Sequence, residues 1–99
     1  MVNDTYMNSK TAGKISKALA DPNRLLILKE IKKQKDDCLY CADINDMIDL
    51  AQPSICHHLK LLTDTEIILS EKEGRNVKYK LNEKVIDEYI AFLEALKKD

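Results

Sequence analysis

The stretch Gln52-Pro53-Ser54-Ile55-Cys56-His57-His58-Leu59-Lys60-Leu61-Leu62 constrains the fold more than any other. Ile55, Leu59 and Leu62 recur at the i, i+4, i+7 spacing of a helix that buries one stripe. Ser54, Cys56, His57 and Lys60 fall largely off that stripe. A helix packed on one side and carrying short polar groups on the other suits a DNA major groove, which admits one helix and is read by hydrogen bonds to base edges. An ordinary amphipathic surface helix has the same pattern. The neighbouring segments must decide between the two.

Upstream, Ile15, Ala18 and Leu19 form a helical stripe over residues 11–20, ended by the Asp21-Pro22 step because the residue before a proline is driven out of the helical region. Asp21 is expected as N-cap and Pro22 as the first residue of a second helix, running to about Lys33. Leu25, Leu26, Ile27, Leu28 and Ile31 make this helix apolar over a wide arc, the pattern of a central buried helix. A polar connection leads to a short strand, Cys38-Leu39-Tyr40. A third helix follows from about Ala42 to Asp49, with Ile44, Met47 and Ile48 inward, then a turn at Leu50-Ala51. Two helices joined by so short a turn are a helix-turn-helix, whose second member is the one placed in the groove.

After Glu66 the period becomes strand-like. Residues 67–81 read as a two-stranded hairpin turning at Glu73-Gly74-Arg75-Asn76, with Val77, Tyr79 and Leu81 alternating with Lys78 and Lys80. Asn82 caps a last helix, about residues 83–98. There Val85, Ile86, Tyr89, Ile90, Phe92, Leu93 and Leu96 leave little polar surface, so self-association is the expected cover. The first ten residues are either an arm or the start of a helix.

Ninety-nine residues suffice for one domain with a modest core. One third of the chain is charged, with only two Gly and two Pro, the profile of a helix-rich globular domain. No apolar run approaches a membrane span of about 20 residues, and Met1–Lys10 lacks the pattern of a signal peptide. The expectation is therefore a cytoplasmic protein with no membrane partner. A net charge of -1 argues against nucleic-acid binding by bulk charge, but the charge is segregated. Residues 36–50 hold five acids and no base, and residues 72–80 hold four bases against one acid.

Helix, helix, helix-turn-helix, basic hairpin, apolar helix is the order of a winged helix-turn-helix dimer of about five helices with a two-stranded wing. Over roughly Ile15 to Lys97 the chain resembles the ArsR/SmtB family of repressors. The resemblance is carried by Ala18-Leu19-Ala20-Asp21-Pro22-Asn23-Arg24-Leu25, by Gln52 to Leu62, similar to the family's Gln-Ser-x-Val-Ser-His-His-Leu recognition helix, and by Glu73-Gly74-Arg75-Asn76-Val77-Lys78-Tyr79-Lys80-Leu81, similar to its wing. It implies one domain over 1–99, with a recognition helix at 52–64, a wing at 67–81, and dimerisation helices at 11–20 and 83–98.

The resemblance places Gln52, Ser54, Cys56, His57 and His58 at or near the groove, with Lys60 suited to a phosphate. Adjacent histidines point about 100° apart on a helix, so His57 and His58 are poor co-ligands for one metal. Lys72, Arg75 and Lys78 are candidate phosphate or minor-groove contacts, although lysines on an exposed hairpin also serve to block edge pairing. Cys56 stands where the family usually has Ser; it is a plain substitution or an oxidisable thiol.

Cys38 and Cys41 are a candidate metal or redox pair. A Cys-x-x-Cys at the entrance of a helix binds a thiophilic ion or closes to a disulfide; ordinary half-buried cysteines are the third reading. Many metal-sensing members of the family carry Cys-x-Cys followed by Asp-Leu, whereas Ala42 here separates Cys41 from Asp43-Ile44. An arsenite, cadmium or zinc ion at Cys38 and Cys41 would need a further ligand from elsewhere, such as a partner's N-terminal arm. The family's other metal site, in its last helix, is not expected, because residues 82–99 contain no His or Cys. No Ser/His/Asp grouping, phosphate loop or thioredoxin-like setting argues for an enzyme.

The sequence thus predicts a homodimeric, sequence-specific transcriptional repressor that binds double-stranded operator DNA and is released by a thiophilic metal or metalloid at Cys38/Cys41. The alternatives are a thiol redox-responsive repressor and a winged-helix protein-interaction module without operator binding.

Overall fold

A computed structural model describes residues 7–48 and 51–97, with the side chains of Asp37 and Gln52 excepted. The expectations for the first six residues, for Asp49 at the end of the third helix, for Leu50 in the Leu50-Ala51 turn and for Lys98 at the end of the last helix lie outside the described residues.

Helix α1 spans Ser9–Ala18 and begins two residues earlier than its apolar stripe predicts. Asn8 is the reason: its side chain accepts a hydrogen bond of 2.8 Å from the Thr11 amide, satisfying one of the orphan donors of the first turn. Helix α2 spans Pro22–Lys33, with the Asp21 carboxylate accepting from the Asn23 amide at 2.7 Å and Pro22 in the first turn. That backbone bond holds the Asp21 carboxyl below its usual pKa. A single 3-10 turn, Lys35–Asp37, leads to strand β1, Cys38–Tyr40. Helices α3, Cys41–Met47, and α4, Gln52–Asp64, form the helix-turn-helix. Strands β2, Ile68–Glu73, and β3, Asn76–Leu81, form the wing, and α5, Glu83–Lys97, closes the chain.

The wing is part of a larger sheet than the hairpin expected. β1 pairs antiparallel with β3, so the order is β1-β3-β2, with Leu39 opposite Tyr79 and Ser70 opposite the same residue. Glu73 pairs with Asn76, leaving Gly74 and Arg75 as a two-residue turn. Gly74 has φ +61, the left-handed conformation that such turns require and that glycine adopts without steric cost.

The core is formed by Ile15 and Ala18 from α1, Ile27 and Ile31 from α2, Leu39 from β1, Ile44 and Ile48 from the α3 segment, Ile55, Leu59 and Leu62 from α4, and Ile67 and Ile68 at the wing root. Two expectations need correction. Leu25 and Leu26 are exposed, so α2 buries one face and not a wide arc; Met47, expected inward, is also exposed. In each case the helix is covered on one side only. On α5, Val85, Ile86 and Tyr89 pack against the core, but no residue of the helix is buried, and Ile90, Leu93 and Leu96 face solvent at 46, 43 and 69% exposure. No described helix is long and apolar enough to cross a membrane.

Ile55 is wholly buried at the centre of this core. Ile55→Ala should destabilise the protein by about 2–5 kcal/mol, read as a lower urea midpoint; a loss below about 0.5 kcal/mol, the range of surface substitutions, would show that the stripe does not anchor α4.

Candidate nucleic-acid interface

The rotation of α4 about its axis decides what it presents. Ile55, Leu59 and Leu62 are buried to 2% exposure or less, and Ser54, Cys56, His57 and Lys60 are exposed, as the spacing predicts. Gln52 begins the helix, but its side chain lies outside the described residues. Lys60 forms an i, i+4 ion pair with Asp64 at 3.2 Å; both side chains are exposed, so the pair contributes little to stability and Lys60 is readily exchanged to another anion.

His58 departs from the expectation. It is only 8% exposed and faces inward, because one step of about 100° from His57 carries it to the buried side. Its Nδ1 lies 3.1 Å from Arg24 Nη1. Arginine has only donors, so Nδ1 accepts and the ring proton resides on Nε2. Arg24 also donates to the carbonyls of Ala18, at 2.5 Å, and Lys17, at 3.2 Å. One guanidinium therefore closes the end of α1, holds α2 against it, and fixes the roll of α4. The two imidazole centroids are 6.0 Å apart and tilted by 51°, so His57 and His58 serve different sides of the helix. The Arg24 tie is not legible in the sequence, because its partner His58 is 34 residues away and Arg24 is one of several charged residues on α2.

The register of the sheet sorts the wing cations. Leu39, Ser70, Lys72, Val77 and Tyr79 share the inner face, and Cys38, Tyr40, Glu71, Lys78 and Lys80 share the outer one, since directly opposed residues project to the same side. Lys72 and Arg75 are exposed. Lys78, expected as a DNA contact, is engaged by two carboxylates. It points outward, 2.6 Å from a Glu73 oxygen and 3.4 Å from Glu71. Glu73 also accepts from the Tyr40 hydroxyl at 2.8 Å. The Lys78 and Tyr40 hydrogen bonds hold the Glu73 carboxyl below its usual pKa, and the same contacts raise Lys78 and Tyr40.

The three cysteines are free thiols, and the fold separates the pair that the sequence puts together. Cys38 is on the outer face of β1, opposite Lys80. Cys41 is the first residue of α3 and packs on the core side, at the margin of the same cluster as Tyr79. Burial raises the Cys41 thiol, and Cys56 on α4 adds to the shift; Tyr79 is raised by burial and then by both thiols. Cys41 and Tyr79 both pack against the core, whereas Cys56 is exposed. Among the described residues, no group of three or more His, Cys, Asp or Glu side chains is arranged to hold a metal ion.

Arg24→Ala removes two donors to carbonyls and the partner of His58. The expected cost is about 2 kcal/mol of stability, the scale of hydrogen bonds from a charged donor, in a denaturant titration. A change within about 0.5 kcal/mol would contradict the role given to the guanidinium.

No family model matches the chain. Among curated proteins it is 33% identical to an arsenical resistance operon repressor of Staphylococcus xylosus, over 82% of this chain and 75% of that one. It is also 33% identical to the transcriptional repressor SdpR of Bacillus subtilis, over 80% of this chain and 84% of that one. Among solved structures, an ArsR-like transcriptional regulator from a Rhodococcus superposes with a TM-score of 0.79 at 20% identity, covering 89% of this chain and 80% of that one. HlyU from Vibrio cholerae superposes with 0.71 at 28% identity, covering 90% and 94%. With the helix-turn-helix, the three-stranded winged sheet and these relatives in agreement, the chain belongs to the ArsR/SmtB family of winged helix-turn-helix transcriptional regulators, a family of regulators and not of enzymes.

Proposed function

We propose that this protein is a homodimeric repressor that binds operator DNA in a sequence-specific way. The observation that carries the reading is the division of α4 into a face locked in the core and a face that offers Ser54, Cys56, His57 and Lys60 to solvent. In the dimer the two α4 helices enter successive major grooves about 34–36 Å apart. Lys72 and Arg75 at the tip of the wing meet phosphate or the minor groove alongside. They supply the local positive charge that the net charge of -1 conceals.

The dimer forms through the exposed apolar stripe of α5. Ile90, Leu93 and Leu96 are too extensive a surface to leave in water, and a second copy offers the same stripe about a two-fold axis. Helix α1 lies beside α5, with Ser16 Oγ 2.7 Å from the Tyr89 hydroxyl, and completes the platform. A thiophilic metal or metalloid releases the DNA. Several relatives are named arsenical resistance operon repressors, and this chain places cysteines at the start of both helices of its helix-turn-helix, Cys41 in α3 and Cys56 in α4, with Cys38 just before them in β1. Release requires that the effector prefer the form with low DNA affinity.

Fluorescence anisotropy with DNA from upstream of the protein's own gene, at two salt concentrations, tests the reading. Salt-sensitive binding that prefers this DNA over a scrambled duplex is expected; sequence-indifferent or absent binding would instead favour a protein-interaction module. Arg75→Ala should weaken binding to every duplex and flatten the log–log salt slope by about one unit. An unchanged slope would remove Arg75 from the interface. Leu93→Glu should convert the dimer to a monomer in sedimentation equilibrium, and a persistent dimer would place the interface elsewhere.

A further inference from the structure

We propose that the cavity between α1 and α4 binds a small organic carboxylate with an apolar body, and that filling it weakens binding to DNA. The proposal goes beyond the repressor reading and rests on it only for the effect on DNA; binding of the carboxylate depends on the cavity alone.

Two helical strips line this space where α1 packs against α4. Lys14, Lys17 and Ala18 follow the i, i+3, i+4 spacing that gathers side chains on one side of α1, and Leu61, Asp64 and Thr65 repeat that spacing across the end of α4. Arg24 completes the lining. The volume is about 410 Å³, within the range of about 300–1,000 Å³ of sites that take small molecules. Its surface is predominantly apolar, with Ala18 and Leu61 on facing walls.

The polar groups decide the charge of the ligand. Arg24 is spent on His58 and on the carbonyls of Lys17 and Ala18, the Thr65 hydroxyl donates to the Leu62 carbonyl at 2.9 Å, and Asp64 is paired with Lys60. Lys14 and Lys17 are both exposed, and among the described residues neither has a carboxylate partner. Two unpaired ammonium groups beside an apolar space suit one carboxylate carried on an apolar body. The adjoining cavity, about 340 Å³, shares Lys14, Asp64 and Thr65 but adds Glu66 and Glu88, so an anion is repelled there and directed toward Lys17. DNA alters this balance through Asp64. When Lys60 turns to a phosphate, Asp64 loses its partner and its charge opposes the bound carboxylate. Ligand and DNA are therefore antagonists, each weakening the other by the same factor.

The test uses the full chain with naphthoate and octanoate as probes, an aromatic and an acyl body on the same carboxylate. In the wild type, which requires no variant to fold, amide NMR shifts should move at Ala18, Leu61 and Thr65 and not at Ile90 or Leu93. At least one probe should bind with a Kd of about 1 mM or tighter, ordinary for a ligand of this size, and the tighter of the two identifies the body. Neutral naphthamide and inorganic phosphate should each bind about tenfold more weakly, and Lys14→Gln/Lys17→Gln should lose about tenfold, the scale of two exposed ion pairs. Failure of both probes, shifts centred on α5, equal binding of naphthamide or phosphate, or a lysine variant that binds as wild type does would overturn the site. At saturation the probe should weaken binding to the upstream DNA about threefold, the scale of one exposed ion pair, and Asp64→Asn should keep the probe but lose this antagonism. Unchanged DNA affinity, or antagonism that persists in Asp64→Asn, would overturn the coupling. Protein that binds the probe but ignores DNA would defeat the repressor reading and leave the cavity assigned.

Discussion

Everything outside the core follows from how α4 is held. Ile55, Leu59 and Leu62 bury one stripe of it, and the Arg24–His58 contact pins its flank to the junction of α1 and α2. Apolar burial alone is non-directional and would tolerate some rotation of the helix. A hydrogen bond at 3.1 Å to a guanidinium that is itself tied to two carbonyls does not. The helix is left with one roll, and that roll decides which of two adjacent histidines meets solvent.

The same logic of faces governs the wing. Pairing with β1 makes the hairpin part of a three-stranded sheet, so each residue of β3 has a fixed side. Lys78 is committed to Glu71 and Glu73 on the outer face, and Lys72 is on the inner one. The outer carboxylates thus neutralise one of the four wing cations and leave the tip to carry the charge. Alternation also puts Cys38 on the outer face, whereas Cys41, at the start of α3, packs against the core.

Most of the fold was legible because its signals are local. Pro22 with Asp21, the change of period after Glu66, and Gly74 at the turn each specify backbone geometry from one or two residues. The inner stripe of α4 was legible for the same reason. What escaped the sequence was long-range. The pairing of Cys38 with Lys80 turned an isolated segment into an edge strand, and the partnership of Arg24 with His58 spans 34 residues. His58 was misread because a resemblance to a recognition helix carries the identity of residues but not the roll that separates His57 from His58. Met47 and the leucines of α2 were misread because periodicity shows which side of a helix is apolar, and not whether anything covers it.

The division of the adjacent histidines is where the account is most exposed. Parallel measurements of DNA affinity and of unfolding free energy on His57→Ala and His58→Ala test it directly. The account predicts that His57→Ala weakens DNA binding with stability within about 0.5 kcal/mol of wild type, the range of surface substitutions, and that His58→Ala chiefly loses stability. A stable His58→Ala protein with impaired binding, beside a His57→Ala protein that binds normally, would contradict it.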